Sequence, residues 1–259
     1  MKRYVKAGIH PDDTSDRYVI DYVYNYPEDI IDIVPPQLYR SEHGNNVYWF
    51  GYRFNDNVGS KDRTAFINYI KGLSDTKIPE HDLERLIELP LAELNETINL
   101  YAIDCFVYPG SKRSQLVNKM IHIINRFTSR DMNRLSFELV KSVPTDIEFD
   151  WRLFKSDNGD DENRYNMMKD YVDNTLMPMI HSLDYFSLAH SVKPKYRKYI
   201  KNYLSFKDED VEEFAGLKGK NILIVDDINT SGSTIDEILR VIGKINNSCN
   251  IYVYTLIGK

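Results

Sequence analysis

A buried strand, two acidic residues, a loop of small hydroxyl side chains and a helix follow one another within residues 222–245. Residues 222–225 are four consecutive apolar residues, which is typical of a strand covered on both faces of a parallel sheet. Asp226 and Asp227 come directly after them, and a helix is predicted from residue 233 to residue 245. In parallel α/β sheets, ligands bind at the carboxyl ends of the strands, so this segment predicts both the fold class and the place of a site.

The loop of this segment has the chemistry of a phosphate site. Backbone N–H groups of residues 230–234 and the positive end of the following helix favour a dianion, and Gly232 allows close approach or a positive φ. The hydroxyls of four residues add donors: Thr230, Ser231, Ser233 and Thr234. Ionised Asp226 and Asp227 are acceptors only, so they suit the vicinal hydroxyls of a ribose. Together these residues predict a sugar-phosphate site.

Three other interpretations of the same segment do not fit its residues. A calcium loop starting at Asp227 has Ile238 at its twelfth position, where a bidentate glutamate is required. A P-loop NTPase is excluded because no GxxxxGK[ST] string occurs in the sequence. A simple helix start capped by Ser233 would not explain two adjacent aspartates after a buried strand.

The rest of the second part of the chain has a β-α-β pattern. We predict a strand at residues 98–107, a turn at 108–111, a helix at 111–127 and a last strand at 251–257. Between them, the pattern predicts strands at 137–140 and 184–189, an acidic loop at 157–162, a helix at 164–176, and a charged loop or exposed helix face at 207–213. A parallel sheet flanked by helices is the expected core of residues 97–259.

Residues 1–96 have a different character and predict a small α/β region. Alternation predicts a strand at 47–54, and helical spacing predicts helices at 65–73 and 79–89, with Pro90 as a stop. Aromatic residues are dense here. They fit ordinary core packing better than a base-stacking surface.

Composition excludes several classes of protein. The net charge of −6 disfavours nucleic acids and anionic membranes as partners. No stretch approaches the roughly 18 apolar residues of a membrane span, and no targeting segment is evident, so we expect a cytoplasmic protein. Two cysteines are too few for a disulfide framework, and neither they nor the histidines have metal-ligand spacing.

Residues 225–234 resemble the 5-phosphoribosyl-1-pyrophosphate (PRPP) binding motif of the type I phosphoribosyltransferases, two acidic residues, two variable ones, then Thr-Thr/Ser-Gly-x-Thr. The resemblance implies a Rossmann-like core, with Asp226 and Asp227 on the ribose hydroxyls. It also implies a 5-phosphate loop from Thr230 to Thr234, which includes Ser231, Gly232 and Ser233, with Asn229 as a further PRPP-binding residue.

By the same resemblance, two further segments bind pyrophosphate. A loop between strand and helix contributes Gly110, Ser111, Lys112 and Arg113. A mobile loop at 190–197 contributes Lys193, Lys195 and Arg197, of which Lys193 and Arg197, with the two aspartates, are the expected catalytic residues. Mg²⁺ is the implied cofactor, held through substrate oxygens near Asp226 and Asp227.

The implied reaction is displacement of pyrophosphate from PRPP by a nitrogen nucleophile, a step of nucleotide metabolism whose acceptor the sequence does not identify. A non-catalytic PRPP or nucleotide-binding regulator is the alternative, and family members often form homodimers. The hood that recognises the acceptor would come from residues 1–96, from residues 140–185 or from a partner. The competence-type amidophosphoribosyltransferase-like branch has an N-terminal zinc ribbon, for which this chain lacks the cysteines.

Overall fold

A computed structural model describes the backbone of short strands within residues 8–40, then residues 47–111, 114–129, 134–159, 161–228 and 232–258. Side chains are described from residue 48 onward within these ranges.

The strands are numbered in chain order. They are β1 (Gly8–Pro11), β2 (Tyr18–Asp21), β3 (Ile31–Ile33), β4 (Tyr39–Arg40), β5 (Val47–Phe54), β6 (Cys105–Pro109), β7 (Leu135–Lys141), β8 (Glu148–Phe149), β9 (Ile200–Lys201), β10 (Leu204–Ser205), β11 (Asn221–Ile228) and β12 (Asn250–Gly258).

The α-helices follow the same rule. They are α1 (Ser60–Ile70), α2 (Glu80–Glu88), α3 (Leu91–Thr97), α4 (Leu116–Phe127), α5 (Trp151–Asn158), α6 (Glu162–Tyr171), α7 (Met177–His181), α8 (Leu188–Ser191), α9 (Asp208–Ala215) and α10 (Ser233–Ile245). Short 3₁₀ segments lie at Leu100–Ala102, Pro144–Asp146 and Pro194–Tyr199, and a π-helical turn lies at Val172–Leu176.

The described residues group into two compact units. The first takes its residues from 1–136, 219–230 and 248–259, and the second from 137–218 and 231–247. A boundary near residue 96 does not coincide with these units, because β5 pairs with β12 from Tyr252↔Val47 to Gly258↔Arg53 and so belongs to the same sheet. Whether residues 1–96 serve as a hood or a partner surface stays a prediction.

The first unit contains a mostly parallel sheet. β11 pairs in parallel with β6 on one side and with β12 on the other, and β12 pairs in parallel with β5. β3 and β4 are antiparallel to β5. The central strand β11 is buried from Ile222 to Asp227, as a continuous apolar run predicts. The expected fold class, a parallel α/β sheet flanked by helices, is confirmed.

Helices α1, α2 and α4 cover the core of this sheet. Leu86 and Ile87 of α2 and Met120 and Ile124 of α4 are buried with β11 residues such as Leu223. Each fully buried side chain of this size contributes about 1.5–3 kcal/mol.

Exposed ion pairs also join α2 to α4. Lys119 contacts Glu80, and Arg126 contacts both Glu84 and Glu88. Such surface pairs add about 0–1 kcal/mol each, so apolar burial holds these helices in place.

The second unit contains α5 to α10 with short strand pairs. β10 is antiparallel to β7, and β8 is antiparallel to β9. An aromatic cluster fills part of its interior, with Phe137 and Phe206 each packed against Phe214 at ring-centroid distances of 5.2 and 4.4 Å.

Several predicted elements are confirmed, and their ends differ for physical reasons. The strand at 47–54 and the helix at 233–245 have the expected bounds. The helix predicted at 65–73 begins earlier, at Ser60. The sequence pattern missed this start because the first turns of the helix are polar and show no apolar period. The helix predicted from 111 begins at Leu116. The charged stretch from 207 is an exposed helix, α9.

Two predicted strands are wrong in whole or part. Residues 184–189 form no strand. Phe186 is buried in the irregular segment before α8 and Leu188 is buried at the first residue of α8, so the two imitate alternation. Of 98–107, only the end is strand, because Ile98, Leu100 and Ile103 enter the core from α3 and a 3₁₀ segment.

The aromatic residues of β5 pack in the core. Tyr48, Trp49 and Tyr52 are buried, as core packing predicts. The tyrosines at 22, 24 and 26 lie outside the described residues.

Among the residues that the structure describes, no helix has both the length and the apolar character needed to cross a bilayer.

Candidate functional site

The two aspartates lie near the carboxyl end of β11, the central parallel strand of the first unit. Asp226 is 6% exposed and Asp227 is 9% exposed, so both are buried carboxylates. Successive strand residues face opposite sides of a sheet, so Asp227 faces the helical core with Leu223 and Val225, and Asp226 faces the other way. A ligand that contacts both carboxylates must therefore lie over the end of the strand.

Asp227 has a basic partner from the N-terminal part of the chain. Lys71 Nζ lies 2.8 Å from Asp227 Oδ2, and their side chains are only 23% and 13% exposed. Lys71 caps the carboxyl end of α1. The backbone N–H of Asp227 also donates to Asp226 Oδ1 at 2.9 Å. The ammonium group offsets the cost of burying the Asp227 carboxylate.

Sequence reasoning missed Lys71. It lies more than 150 residues from the motif along the chain, and one lysine after a helix is a common surface feature. Only the approach of α1 to the end of β11 brings it to the site.

The predicted pyrophosphate loop begins beside the aspartates, on the neighbouring strand β6. Ile224 pairs with Val107, so the continuing register places Asp226 level with Pro109, directly before Gly110. Ser111 Oγ accepts a hydrogen bond from the Ser114 backbone N–H at 3.1 Å. Residues 112 and 113 lie outside the described residues. The structure thus brings the start of this loop and the acidic pair to one edge of the sheet.

The helical half of the motif belongs to the second unit and is described by itself. Gly232 is the N-cap of α10, with φ 77° and ψ −17°, a left-handed conformation that favours glycine. Its carbonyl accepts a hydrogen bond from the Asp236 N–H at 2.9 Å. Ser233 is buried, and its carbonyl accepts a hydrogen bond from the Tyr203 hydroxyl at 2.7 Å. Thr234 is half-buried, whereas residues 229–231 lie outside the described residues.

Glu237, one turn into α10, fixes this helix within the second unit. It is 4% exposed and accepts a hydrogen bond from the Tyr203 N–H at 2.9 Å. Both of its oxygens also accept from the Arg240 guanidinium at 2.7 Å. A buried carboxylate with these partners holds the start of α10 against β10 and the turn before it.

The segment at 190–197 has more regular structure than the expected mobile loop. It comprises the end of α8 and most of the 3₁₀ segment Pro194–Tyr199. Arg197 is half-buried and donates to the carbonyls of Val192 and Ala189 at 2.9 and 2.7 Å, so two of its donors serve its own segment. Lys193 and Lys195 are exposed. A role of these three residues in closure over a substrate stays a prediction.

Within the described part of the chain, no three His, Cys, Asp or Glu side chains are grouped so that they could hold a metal. A metal at the end of β11 would therefore depend on Asp226 and Asp227 together with oxygens from elsewhere.

Comparison with known proteins gives limited similarity. No protein-family model matches the sequence, and no curated protein matches it. A purine phosphoribosyltransferase from Pyrococcus horikoshii is similar in structure with a TM-score of 0.31 and 14% identity, over 69% of this chain and 84% of that one. A hypoxanthine phosphoribosyltransferase from Staphylococcus aureus has a TM-score of 0.34 and 12% identity, over 79% and 83% of the two chains. Because this similarity is low, any proposal of function has to rest on the residues of the site itself.

Proposed function

We propose that this chain is a phosphoribosyltransferase, which displaces pyrophosphate from PRPP with a nitrogen nucleophile. The observation that carries the proposal is the buried pair Asp226 and Asp227 at the carboxyl end of a central parallel strand, followed in sequence by a loop of small hydroxyl residues. Burying each carboxylate costs several kcal/mol, and the Lys71 ion pair offsets part of that cost for Asp227. Ribose hydroxyls give such carboxylates hydrogen-bond donors.

The 5-phosphate is assigned to the loop at 230–234. The left-handed Gly232 at the first turn of α10 supports this assignment, since a glycine there lets an anion approach backbone N–H groups. Hydroxyls of Thr230, Ser231, Ser233 and Thr234 and the amide of Asn229 complete the proposed binding set.

Pyrophosphate is assigned to Gly110, Ser111, Lys112 and Arg113, with Lys193, Lys195 and Arg197 as the clamp on closure. The loop that begins at Gly110 leaves β6 beside the acidic pair, which supports the first part of this set. Positioned cations stabilise the charge that develops on the leaving group, and exclusion of water protects the reacting sugar from hydrolysis.

Magnesium fits the residues at this strand end. Asp226 and Asp227 offer hard oxygen ligands, and Mg²⁺ keeps most of its waters and substrate oxygens, so it needs few protein groups. When bound, it would neutralise charge on the departing pyrophosphate. The ion pair between Lys71 and Asp227 leaves one Asp227 oxygen outside that contact.

Binding and turnover are tested separately. Titration calorimetry with PRPP and Mg²⁺ measures affinity, and release of pyrophosphate with a panel of nitrogen acceptors measures transfer. We expect Asp227→Asn and Gly232→Val to lose PRPP binding, while Asp173→Asn, which changes an exposed aspartate of the π-helical turn, keeps it.

The outcomes separate the candidate functions. Saturable PRPP binding with pyrophosphate release supports the enzyme, and binding without release supports the regulator. Unchanged PRPP affinity in both site variants would overturn the assignment of the site.

A further inference from the structure

A cavity of about 160 Å³ lies in the first unit between the turn after α1 and the beginning of α4. Its lining includes three lysines, Lys71, Lys77 and Lys119, and one acidic residue, Glu80. Gln115 and Leu116, where α4 begins, also line it. None of these residues belongs to the sequence motif.

The charge balance of the cavity is positive. Lys119 Nζ lies 2.5 Å from Glu80, and Lys71 pairs with Asp227, which leaves two carboxylates against three ammonium groups. Lys77 is exposed and has no ion-pair partner among the described residues. The positive end of the 12-residue helix α4 adds a partial charge of the same sign. A concave site with this balance, in a chain of net charge −6, favours an anion.

Lys71 connects the cavity to the acidic pair. It lines the cavity and also holds Asp227 at 2.8 Å. An oxyanion in the cavity would share the Lys71 ammonium with Asp227 and leave that carboxylate more available to a ribose hydroxyl.

We propose that this cavity binds an oxyanion, a phosphate or carboxylate group, through Lys71, Lys77 and Lys119. Its place in the reaction rests on the proposed function: the anion is either the pyrophosphate of PRPP or a charged group of the acceptor. In the second case the acceptor is an anionic nitrogen compound, and residues 71–83 form part of the acceptor-binding site.

The test uses orthophosphate as the probe, measured by calorimetry at low ionic strength with the full chain. We expect saturable binding in the millimolar range or tighter, weakened about threefold to tenfold by Lys77→Gln. Lys61→Gln is the matched control, because Lys61 is an exposed lysine of α1 that does not line the cavity. Absence of saturable binding, or equal affinities in the wild type and both variants, would overturn the proposal.

A second titration identifies the source of the anion. Orthophosphate is titrated into protein saturated with PRPP and Mg²⁺. If PRPP abolishes the phosphate binding that Lys77→Gln weakens, its own pyrophosphate fills the cavity. If this Lys77-dependent phosphate binding persists, the cavity serves the acceptor. Failure of wild-type protein to bind PRPP would count against the proposed function alone, since the Lys77→Gln titration without PRPP still decides whether the cavity binds oxyanions.

Discussion

Lys71 Nζ and Asp227 Oδ2 form an ion pair of 2.8 Å that joins the carboxyl end of α1 to the carboxyl end of β11. Residue 71 belongs to the part of the chain whose sequence carries no catalytic signature, and residue 227 belongs to the motif. The site therefore includes a side chain from the N-terminal segment as well as the motif itself.

Removing Lys71 is expected to destabilise the protein because Asp227 then remains buried and unpaired. In a double-mutant cycle of Lys71→Met and Asp227→Asn, monitored by urea unfolding, we expect a coupling free energy of about 1 kcal/mol or more. Additive effects of the two substitutions would mean that the pair does not stabilise the fold.

Gly232 is expected to require glycine for conformational reasons. A Cβ there would lie 3.6 Å from Asp236 Oδ2, an ordinary contact, so strain comes only from φ 77°. Gly232→Val should lower the free energy of unfolding by about 1–2 kcal/mol. Gly243→Ala is the comparison, since Gly243 is an exposed residue within α10 with open space around it, and it should raise stability by about 0.5–1 kcal/mol. Thermal unfolding of both variants checks the pair, and equal effects would contradict the interpretation.

Glu237 is expected to be among the most sensitive positions of the second unit. Glu237→Ala leaves the buried Tyr203 N–H and the Arg240 guanidinium without their acceptor. The loss should be about 3–5 kcal/mol, measured by chemical denaturation. Glu212→Ala, at an exposed position of α9, should change stability by less than about 0.5 kcal/mol. A loss below about 1 kcal/mol at Glu237 would show that α10 is held by apolar packing alone.

The Tyr254 hydroxyl is fully buried and has no hydrogen-bond partner among the described residues. Tyr254→Phe should therefore leave stability at neutral pH unchanged or raise it by about 1 kcal/mol. Burial also raises the pKa of Tyr254. The folded state keeps its proton where the unfolded state loses it, so the wild type should lose stability above about pH 10 and the variant should lose less. Unfolding curves at pH 7 and pH 10.5 test both effects, and a destabilised Phe variant at pH 7 would show that the hydroxyl has a partner.

Cys105 is expected to be unreactive in the folded protein. Burial raises its pKa to about 12, whereas Cys249 is half-buried and its pKa is raised by burial to a smaller degree. The stability contributed by protonated Cys105 is present below its unfolded pKa, near 9, and is lost as pH rises toward 12.

Labelling with a thiol reagent at pH 8 measures the difference between the cysteines. Cys249 should react first in native protein, Cys105 only on unfolding, and Cys249→Ser should abolish the fast reaction. Equal rates for the two thiols would contradict the burial of Cys105.

Local patterns in the sequence were sufficient for the elements that carry the motif. The apolar run of β11 predicts a strand buried on both faces, and the apolar period of α10 predicts the bounds of that helix. Both predictions work because burial of one or two faces of an element gives a regular pattern of apolar residues in the sequence. Phe186 and Leu188 show the limit of that rule. Two buried residues at alternate positions look like a strand, but Phe186 lies in the irregular segment before α8 and Leu188 begins that helix.

The sequence by itself determined the parallel α/β core and the acidic pair at the end of its central strand, since these depend on residues that are neighbours in the chain. Only the tertiary structure decided that β5 joins the central sheet, that Lys71 pairs with Asp227 and that three lysines surround one cavity. Those relationships join residues that are far apart in the sequence. The periodicity of a sequence predicts which face of an element is buried, but it does not predict which distant residue a charged side chain contacts.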